Sequence, residues 1–380
     1  MSRPDERPLR RLPQLAARKA TFERCVFCPK LCRSACPVSN VEQRETLTPW
    51  GKTSMSYFVA NESVELAPSF TTPAWACTGC FGCREHCDHQ NDVTGTLFDA
   101  RSAFVEAGSA PESAKKVVDR FSDTSEVLRN NARELAVLAE VRTDARTAVL
   151  VGCAYARRPE LARDAVRSIA RLTCEPVSLL DTCCGAPLLY AGAKKRFVQQ
   201  GEQLAQAVKH VDRVVVVDAG CAATIRVHHA NNGQGMSAPV LHFTEVAAKG
   251  LGMLARANDG AFGSGNVRWH DPCQLGRGLG VYDAPRAILG RVLGRSPDEF
   301  ERKREDARCS GAGGLVPVTM PDVSRAMARD RLADHERSGG GTVITGCASS
   351  LRAFERQGAH AVDLVTVVAR ALGVGDGSGG

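Results

Sequence analysis

The sequence lacks long apolar runs, a secretory signal and nucleotide-binding glycine motifs. No stretch approaches the roughly 18 apolar residues of a membrane-spanning helix, and the Arg-rich first twenty residues have neither an apolar core nor a small-residue cleavage site. The glycine loops "GRGLG" (276–280) and "GAGG" (311–314) do not match G-x-G-x-x-G after a strand, so we expect no flavin or NAD on this chain. We therefore expect a cytoplasmic protein.

The composition indicates a globular chain of two or three domains, since hydrophobic residues make up 43% and charged residues 24% of 380. The formal net charge is +7, much of it at the N-terminus (Arg3, Arg7, Arg10, Arg11, Arg18 and Lys19). This segment is either a solvated tail or a docking element for an acidic partner or for anionic lipid at the inner face of a membrane complex. Nucleic acid is not expected, because no aromatic residues interleave with the arginines.

Sixteen cysteines are the main chemical signal of the sequence. The reducing cytoplasm argues against a disulfide framework. Eight of them form two compact runs, "CVFCPKLCRSACP" (25–37) and "WACTGCFGCREHC" (75–87). Three thiolates on a tight loop can bind three irons of a cubane [4Fe–4S] cluster, and in two-cluster ferredoxins the fourth cysteine of each run crosses to the other cluster. We therefore predict thiol set 1 (Cys25, Cys28, Cys32 and Cys87) for one cluster and thiol set 2 (Cys36, Cys77, Cys80 and Cys83) for the other.

The loop residues around these cysteines fit a cluster site. Gly79 and Gly82 suit a backbone that approaches sulfide closely. Lys30, Arg33 and Arg84 either reduce the net negative charge of the clusters or are solvated. The alternative metal is zinc, whose ribbons use paired C-x2-C knuckles without a third cysteine at such short spacing. The forty residues between Cys36 and Cys77 favour a helical ferredoxin module, and "ETLTPWGKTSMSYFVANE" within them is compatible with helix.

The rest of the chain predicts a duplicated α/β fold. Short apolar runs alternate with amphipathic stretches, which indicates parallel sheets. The segment "VVVVDAGCAATI" recurs in similar form as "TVITGCASSL". The spacing also recurs, with 38 residues from Cys183 to Cys221 and again from Cys309 to Cys347. In each copy the cysteines follow a strand and precede a helix, which places them at the carboxyl edge of the sheet, where such folds bind ligands.

"WHDPCQLGRGLGVYDAPRAIL" and the C…CCG…C layout resemble the duplicated cysteine-rich (CCG) domain of heterodisulfide reductases and of the iron–sulfur subunits of glycerol-3-phosphate, glycolate and lactate dehydrogenases. The resemblance implies a site like that of heterodisulfide reductases, in which five cysteines of each copy hold a noncubane cluster. This sequence has four copy-one thiols (Cys153, Cys183, Cys184 and Cys221), with Thr224 in place of the last cysteine. It has three copy-two thiols (Cys273, Cys309 and Cys347), with Ser310 and Ser350 in place of the others.

These counts predict a third iron–sulfur cluster in copy one, whose four thiols are also the catalytic candidates. Copy two is either a structural remnant or a site completed by His270, a hydroxyl or water. His270 also fits a strand-end imidazole that bonds backbone, and the one remaining cysteine, Cys174, is expected to be an apolar filler.

The predicted fold class is α+β and multidomain, a helical dicluster ferredoxin module followed by two α/β cysteine-rich domains. The predicted boundaries are a basic extension (1–19), the ferredoxin domain (20–110), a helical connector (111–145), the first CCG domain (146–256), the second, degenerate CCG domain (257–375) and a flexible tail (376–380).

Three functions follow from this interpretation. The first is an electron-transfer subunit that connects a flavoprotein dehydrogenase with an acceptor such as the quinone of a membrane-associated complex. The second is a thiol–disulfide reductase acting at the CCG cluster. The third is a zinc-binding scaffold without redox chemistry.

Overall fold

The computed structural model describes residues 9–139, 141–263 and 265–375. The predicted tail, 376–380, lies outside these residues, and the predicted extension is described only from residue 9. Within the described ranges, no helix is both long enough and apolar enough to cross a membrane.

The N-terminal part of the described chain is helical, as the fold class predicted. Its helices are α1 (Lys19–Val26), α2 (Pro37–Glu42), α3 (Pro49–Ala60), α4 (Pro68–Thr71), α5 (Gly82–Glu85), α6 (Val93–Glu106), α7 (Glu112–Asp119) and α8 (Phe121–Leu138). Proline and capping residues fix the helix starts: Thr48 accepts from the Gly51 N–H at 3.0 Å before α3, and Asp92 accepts from the Gly95 N–H at 2.9 Å before α6.

The core of this part is a cluster of fully buried aromatic and aliphatic side chains (Phe22, Val59, Trp75, Leu97 and Phe104 among them). Each such side chain contributes roughly 1.5–3 kcal/mol by leaving water. The cysteine loops lie between these helices, so the core holds them in place.

Two copies of a four-stranded parallel sheet follow, which confirms the predicted duplication. The first copy comprises β1 (Thr147–Leu150), α9 (Cys153–Ala156), α10 (Pro159–Thr173), β2 (Val177–Leu179), α11 (Ala186–Ala191), α12 (Lys194–Ala207), β3 (Arg213–Val216), α13 (Ala219–Ala223), β4 (Val240–His242) and α14 (Phe243–Lys249). The second comprises β5 (Val267–His270), α15 (Gly276–Leu279), α16 (Asp283–Leu293), β6 (Asp298–Glu299), α17 (Val316–Thr319), α18 (Pro321–Arg337), β7 (Thr342–Thr345), α19 (Ala348–Glu355), β8 (Ala361–Asp363) and α20 (Leu364–Leu372).

The strand order is the same in both copies. It is β2-β1-β3-β4 in the first and β6-β5-β7-β8 in the second. All pairs are parallel, so the chain leaves every strand at one edge of its sheet. Cys153 follows β1 and Cys221 follows β3, as Cys273 follows β5 and Cys347 follows β7.

The two copies pack on each other with approximate two-fold symmetry. Helix α10 of the first copy contacts α20 of the second, and α14 contacts α16. Because α10 and α16 occupy equivalent places in the repeat, as do α14 and α20, the two contacts are reciprocal.

The described chain divides into two compact units. The first unit contains residues 9–119, Pro187–Lys194 and Gly311–Met327. The second contains Arg120–Ala186, Lys195–Ser310 and 328–375, apart from the undescribed positions. The first unit therefore includes the segment that follows "CCG" in copy one and the segment that begins at the glycine of "CSG" in copy two.

Candidate metal centres

The structure brings the four cysteines of thiol set 1 together. Cys25 lies in the last turn of α1, Cys28 in the turn that follows it, and Cys32 in the 3-10 turn Leu31–Ala35. Burial, more than any neighbour, raises the pKa of Cys25 to about 11, with Cys87 and Cys28 adding to it. Burial likewise raises the pKa of Cys32 to about 12, followed by Cys25, Cys87 and Cys28. These mutual effects require the four sulfurs to lie close together.

Thiol set 2 lines a single cavity. Cys36, Cys77, Cys80 and Cys83 all border it, together with apolar side chains of α6 and the buried Lys52. Burial raises the pKa of Cys83 well above its usual range, followed by Cys77, Cys80 and Cys36, and then by Cys32 of thiol set 1. The two sets are therefore neighbours. A lined cavity with four converging thiols is the arrangement that a cluster needs.

The loop of the second run differs in part from the prediction. Gly79 has φ +70°, and its N–H donates to Cys77 Sγ at 3.5 Å, so Gly79 does shape the site. Gly82 instead begins α5, and Phe81 takes the left-handed conformation with φ +58°. The positive φ of this turn thus lies at Phe81, and the close approach of the Gly82 backbone to sulfide stays a prediction.

Three buried polar residues near the sulfurs escaped the sequence analysis. The Asn91 amide donates to Cys25 Sγ at 3.0 Å. Lys52 Nζ lies 3.3 Å from Cys36 Sγ, and Arg101 donates to the Cys77 carbonyl at 2.8 Å. The available signal was a charge on an otherwise apolar helical face: Arg101 lies four residues after Leu97 and three before Phe104.

The three cations that the sequence did suggest are paired with carboxylates. Lys30 lies 3.7 Å from Glu45, and Arg33 lies 2.5 Å from the same residue. Arg84 pairs with Glu85 at 2.7 Å. Two carboxylates thus compensate part of the charge of these three cations.

The copy-one thiols also converge. Cys153 Sγ lies 3.7 Å from Cys183 Sγ. A hydrogen bond with Cys183, followed by burial, raises the pKa of Cys153 well above its usual range. A hydrogen bond with Cys184 lowers the pKa of Cys221, but burial, Asp218 and the other thiols outweigh it and bring the value to about 12. The structure thus places the four predicted residues in one cluster of sulfurs.

Backbone geometry explains why these sulfurs can meet. Gly152 has φ +86°, and a Cβ there would lie 3.0 Å from Cys221 Sγ and 2.8 Å from Asp218 Cβ. Any side chain at this position would therefore collide with the site. Asp218 caps α13 by accepting from the Cys221 N–H at 3.0 Å, which fixes Cys221 at the helix start.

A second layer of polar contacts holds the "CC" pair. The Gln200 amide donates to the Cys183 carbonyl at 2.9 Å. His229 Nε2 lies 2.8 Å from the Cys184 carbonyl, and its ring stacks on Phe197 with centroids 4.2 Å apart. His229 belongs to the π-helical turn Thr224–His229 that continues α13. Such outer contacts orient the ligands of a metal site.

The raised thiol pKa values constrain the chemistry of copy one. A nucleophilic cysteine needs a lowered pKa, whereas every copy-one thiol has a raised one. As free thiols they would stay protonated and unreactive near neutral pH. A bound metal ion deprotonates its thiol ligands directly, so the donor set fits a metal centre better than a dithiol catalyst.

Copy two differs at the positions that lack cysteine. Ser310 Oγ and Ser350 Oγ are buried and hydrogen-bonded to each other at 2.8 Å. Burial raises the pKa of Cys347 to about 12, and Ser350 donates to its sulfur. The two hydroxyls thus fill the space beside Cys347 and hydrogen-bond to each other there.

His270 and Cys174 differ in how well their positions were predicted. His270 ends β5, as the strand-end interpretation predicted, and its Nδ1 accepts from Arg331 Nε at 3.3 Å. Cys174 is exposed and follows α10 with φ +54°. The prediction of an apolar filler was wrong, because the end of α10 lies at the surface.

No group of three or more Cys, His, Asp or Glu side chains in the described ranges is arranged to hold a single metal ion. The thiol sets are recognised by the cavity that they line, by their mutual effects on pKa and by their sulfur contacts.

Two protein-family models match the chain. The model described as a 4Fe–4S dicluster domain matches residues 21–91, which contain both thiol sets. The model described as a cysteine-rich domain matches residues 147–226 and 267–354, one in each copy. These matches indicate iron–sulfur clusters.

Several curated proteins are similar to the chain. One subunit of the fumarate reductase (CoM/CoB) of Methanothermobacter marburgensis is 26% identical over 333 residues, 85% of this chain and 65% of the relative. One subunit of the dihydromethanophenazine:CoB–CoM heterodisulfide reductase of Methanosarcina barkeri is 28% identical over 211 residues, 51% of this chain and 50% of the relative. Lactate utilization protein A of Lysinibacillus sphaericus is 27% identical over 202 residues, 50% of this chain and 86% of the relative. The chain spans less than two thirds of the length of the first two.

Proposed function

We propose that this chain, a member of the superfamily of iron–sulfur proteins that joins a dicluster ferredoxin module to cysteine-rich domains, is the electron-transfer subunit of an oxidoreductase complex. It relays single electrons between a dehydrogenase partner and an acceptor. Thiol sets 1 and 2 each bind a [4Fe–4S] cluster, and the copy-one thiols bind a third iron–sulfur cluster. Each transfer oxidises the donor by one electron and reduces one cluster by one electron.

The observation that carries this proposal is the proximity of two four-thiol sets within one compact unit. The charge of Cys83 in thiol set 2 interacts with that of Cys32 in thiol set 1. Iron–sulfur clusters accept one electron at a time. Two neighbouring clusters therefore form a path along which single electrons pass, which a zinc scaffold would not provide.

The glycine loops of the sequence are packed against the rest of the protein. Gly276 and its neighbours form the short helix α15. Gly313 and Gly314 pack so closely on the Thr78 and Cys77 backbone that a Cβ would lie 2.5 Å and 2.1 Å from the respective carbonyl oxygens. Both loops thus have packing roles, and we propose that a flavoprotein dehydrogenase supplies two-electron chemistry and that a quinone or another carrier accepts the electrons.

The alternative is a thiol–disulfide reductase that acts at the copy-one cluster. It is favoured by the similarity to one component of a heterodisulfide reductase and by the partial exposure of Cys153, in contrast to the buried Cys183, Cys184 and Cys221. Full disulfide reductase activity in a Cys184→Ser variant would contradict this alternative. Its loss together with the copy-one iron would support it.

The test of the main proposal is anaerobic purification with iron, acid-labile sulfide and EPR measured on the full chain. We expect about twelve irons per chain, about four from each cluster, and EPR signals after reduction by dithionite. Cys36→Ser should lose or alter the thiol set 2 signal. Cys174→Ser, a control at an exposed cysteine outside every set, should change neither iron nor spectrum. Zinc without labile sulfide would refute the proposal.

A further inference from the structure

Two buried cations flank the cavity of thiol set 2. Lys52 of α3 is 2% exposed, and its Nζ lies 3.3 Å from Cys36 Sγ. Its charge also interacts with Cys77. Arg101 of α6 is 0% exposed and interacts electrostatically with the same cysteine. Neither cation forms an ion pair with a carboxylate in the described part of the chain.

The hydrogen bonds of Arg101 go to neutral backbone groups, and its guanidinium also lies 4.8 Å from the centre of the Phe98 ring. Its guanidinium donates to the carbonyl oxygens of Ala74 at 2.9 Å, Cys77 at 2.8 Å, Tyr190 at 2.8 Å and Gly314 at 3.0 Å. Four carbonyls satisfy the N–H groups but carry no net charge. The positive charge therefore remains uncompensated in the protein, in an environment where burying an unpaired charge is costly.

Thiol set 1 has a different electrostatic environment. The side chains that donate to its Cys25 sulfur are neutral: the Asn91 amide at 3.0 Å and the Thr53 hydroxyl. The nearby cations Lys30 and Arg33 are shared with the carboxylate of Glu45. The two sets thus have similar ligands but unequal charge around them.

The reduction potential of an iron–sulfur cluster responds to such differences in the surrounding charge. Adding an electron makes the cluster more negative by one charge, and net charge and hydrogen bonds to sulfur set the reduction potential. Nearby uncompensated cations stabilise the reduced form, and low local polarity strengthens this effect. A cluster held by thiol set 2 would also provide a negatively charged partner for Lys52 and Arg101.

We propose that Lys52 and Arg101 raise the reduction potential of the thiol set 2 cluster above that of the thiol set 1 cluster. The first electron from a one-electron donor then resides on the thiol set 2 cluster. This inference rests on the proposed function, because it requires both clusters to be present.

The test is an EPR-monitored redox titration of the anaerobically purified full chain. Lys52→Gln removes the charge and keeps an amide that can donate to sulfur. We expect the equilibrium constant for reducing the thiol set 2 cluster to fall at least tenfold, which is 59 mV for a one-electron couple, with a smaller change at thiol set 1. Lys115→Gln, on exposed α7, is the matched control and should shift neither cluster. The Cys36→Ser spectrum assigns the signals.

Charge-preserving variants separate charge from packing. Lys52→Arg and Arg101→Lys should keep the equilibrium constant for reducing the thiol set 2 cluster within tenfold of wild type. This comparison remains available even if Lys52→Gln fails to retain its cluster. A larger fall in either variant would overturn the proposal.

The two proposals fail in distinguishable ways. Wild-type protein with fewer than about six irons per chain would refute the proposed function. Full iron content with an unshifted thiol set 2 potential in Lys52→Gln, or with equal shifts in both clusters, would refute only the role of the two cations.

Discussion

Ser310→Cys should convert copy two from a three-thiol site into a four-thiol site and thereby add an iron–sulfur cluster. In copy one, the Cys184 side chain is hydrogen-bonded with Cys221. Ser310 is the equivalent of Cys184, and it bonds Ser350, which in turn donates to Cys347. A sulfur at position 310 would therefore lie close to Cys347, and the copy-two cysteines would then match the four cysteines of copy one by position.

The expected gain is about four irons and four sulfides per chain. The cost in stability is small. The substitution removes the hydrogen bond between Ser310 and Ser350, whose hydroxyl oxygens are 2.8 Å apart, and such a bond contributes about 1 kcal/mol. Ser350 keeps Cys347 as an acceptor. Against a typical folding stability of about 5–15 kcal/mol, the variant should fold normally.

The assay is iron and labile sulfide per chain after anaerobic reconstitution, with circular dichroism as the check of folding. Ser349→Cys adds a thiol next to Ser350 in helix α19 and serves as the control without added iron. Ser310→Ala removes the hydroxyl without adding a ligand and should also leave iron unchanged. A folded Ser310→Cys variant with wild-type iron, or an equal gain in Ser349→Cys, would refute the equivalence of the two copies at this position.

Two further predictions concern stability. Gly314→Ala would place a Cβ 2.1 Å from the Cys77 carbonyl oxygen at φ +60°. We therefore expect the free energy of unfolding to fall by roughly 2–4 kcal/mol and the thermal midpoint to fall by several degrees. Gly252→Ala, whose Cβ meets nothing within 4 Å, should melt near wild type, and equal midpoints for the two variants would contradict the clash. Burial raises the pKa of Asp363 to about 7, so its contribution to stability is full below about pH 4 and is lost as the pH rises through 7, at most roughly 4 kcal/mol. Wild type should therefore lose more stability between pH 5 and 8 than Asp363→Asn, and parallel melting curves across that range would contradict the shift.

Local spacing predicted what depends on local chemistry. The intervals between cysteines predicted that three thiols of each run lie on one tight loop, and the arrangement of two-cluster ferredoxins predicted which fourth thiol joins them. The internal repeat predicted two parallel sheets, since each strand-and-helix pair recurs with its cysteine in the same place. Long-range contacts were not predictable in this way. Arg101 contacts carbonyls 89 and 213 residues further along the chain, and no periodicity in its own helix indicates them.

Two errors of the sequence analysis had a common cause. Cys174 was expected to be buried because small apolar residues usually are, but its place at the end of α10 exposes it. Gly82 was expected in the cysteine loop, but it begins the short helix α5. Both depend on where a helix begins or ends, which sequence patterns locate only within a few residues.

The contacts of Arg101 give copy two a role that does not require a cluster. Gly314 follows "CSG" in copy two, and its carbonyl accepts from Arg101 as the Tyr190 carbonyl of copy one does. One segment from each copy thus holds the same cation beside thiol set 2. Loss of thiols from copy two leaves this carbonyl in place, because it depends on backbone geometry at Gly311 and Gly314, both with positive φ. The electrostatic environment of thiol set 2 therefore depends on both copies, whether or not copy two binds iron.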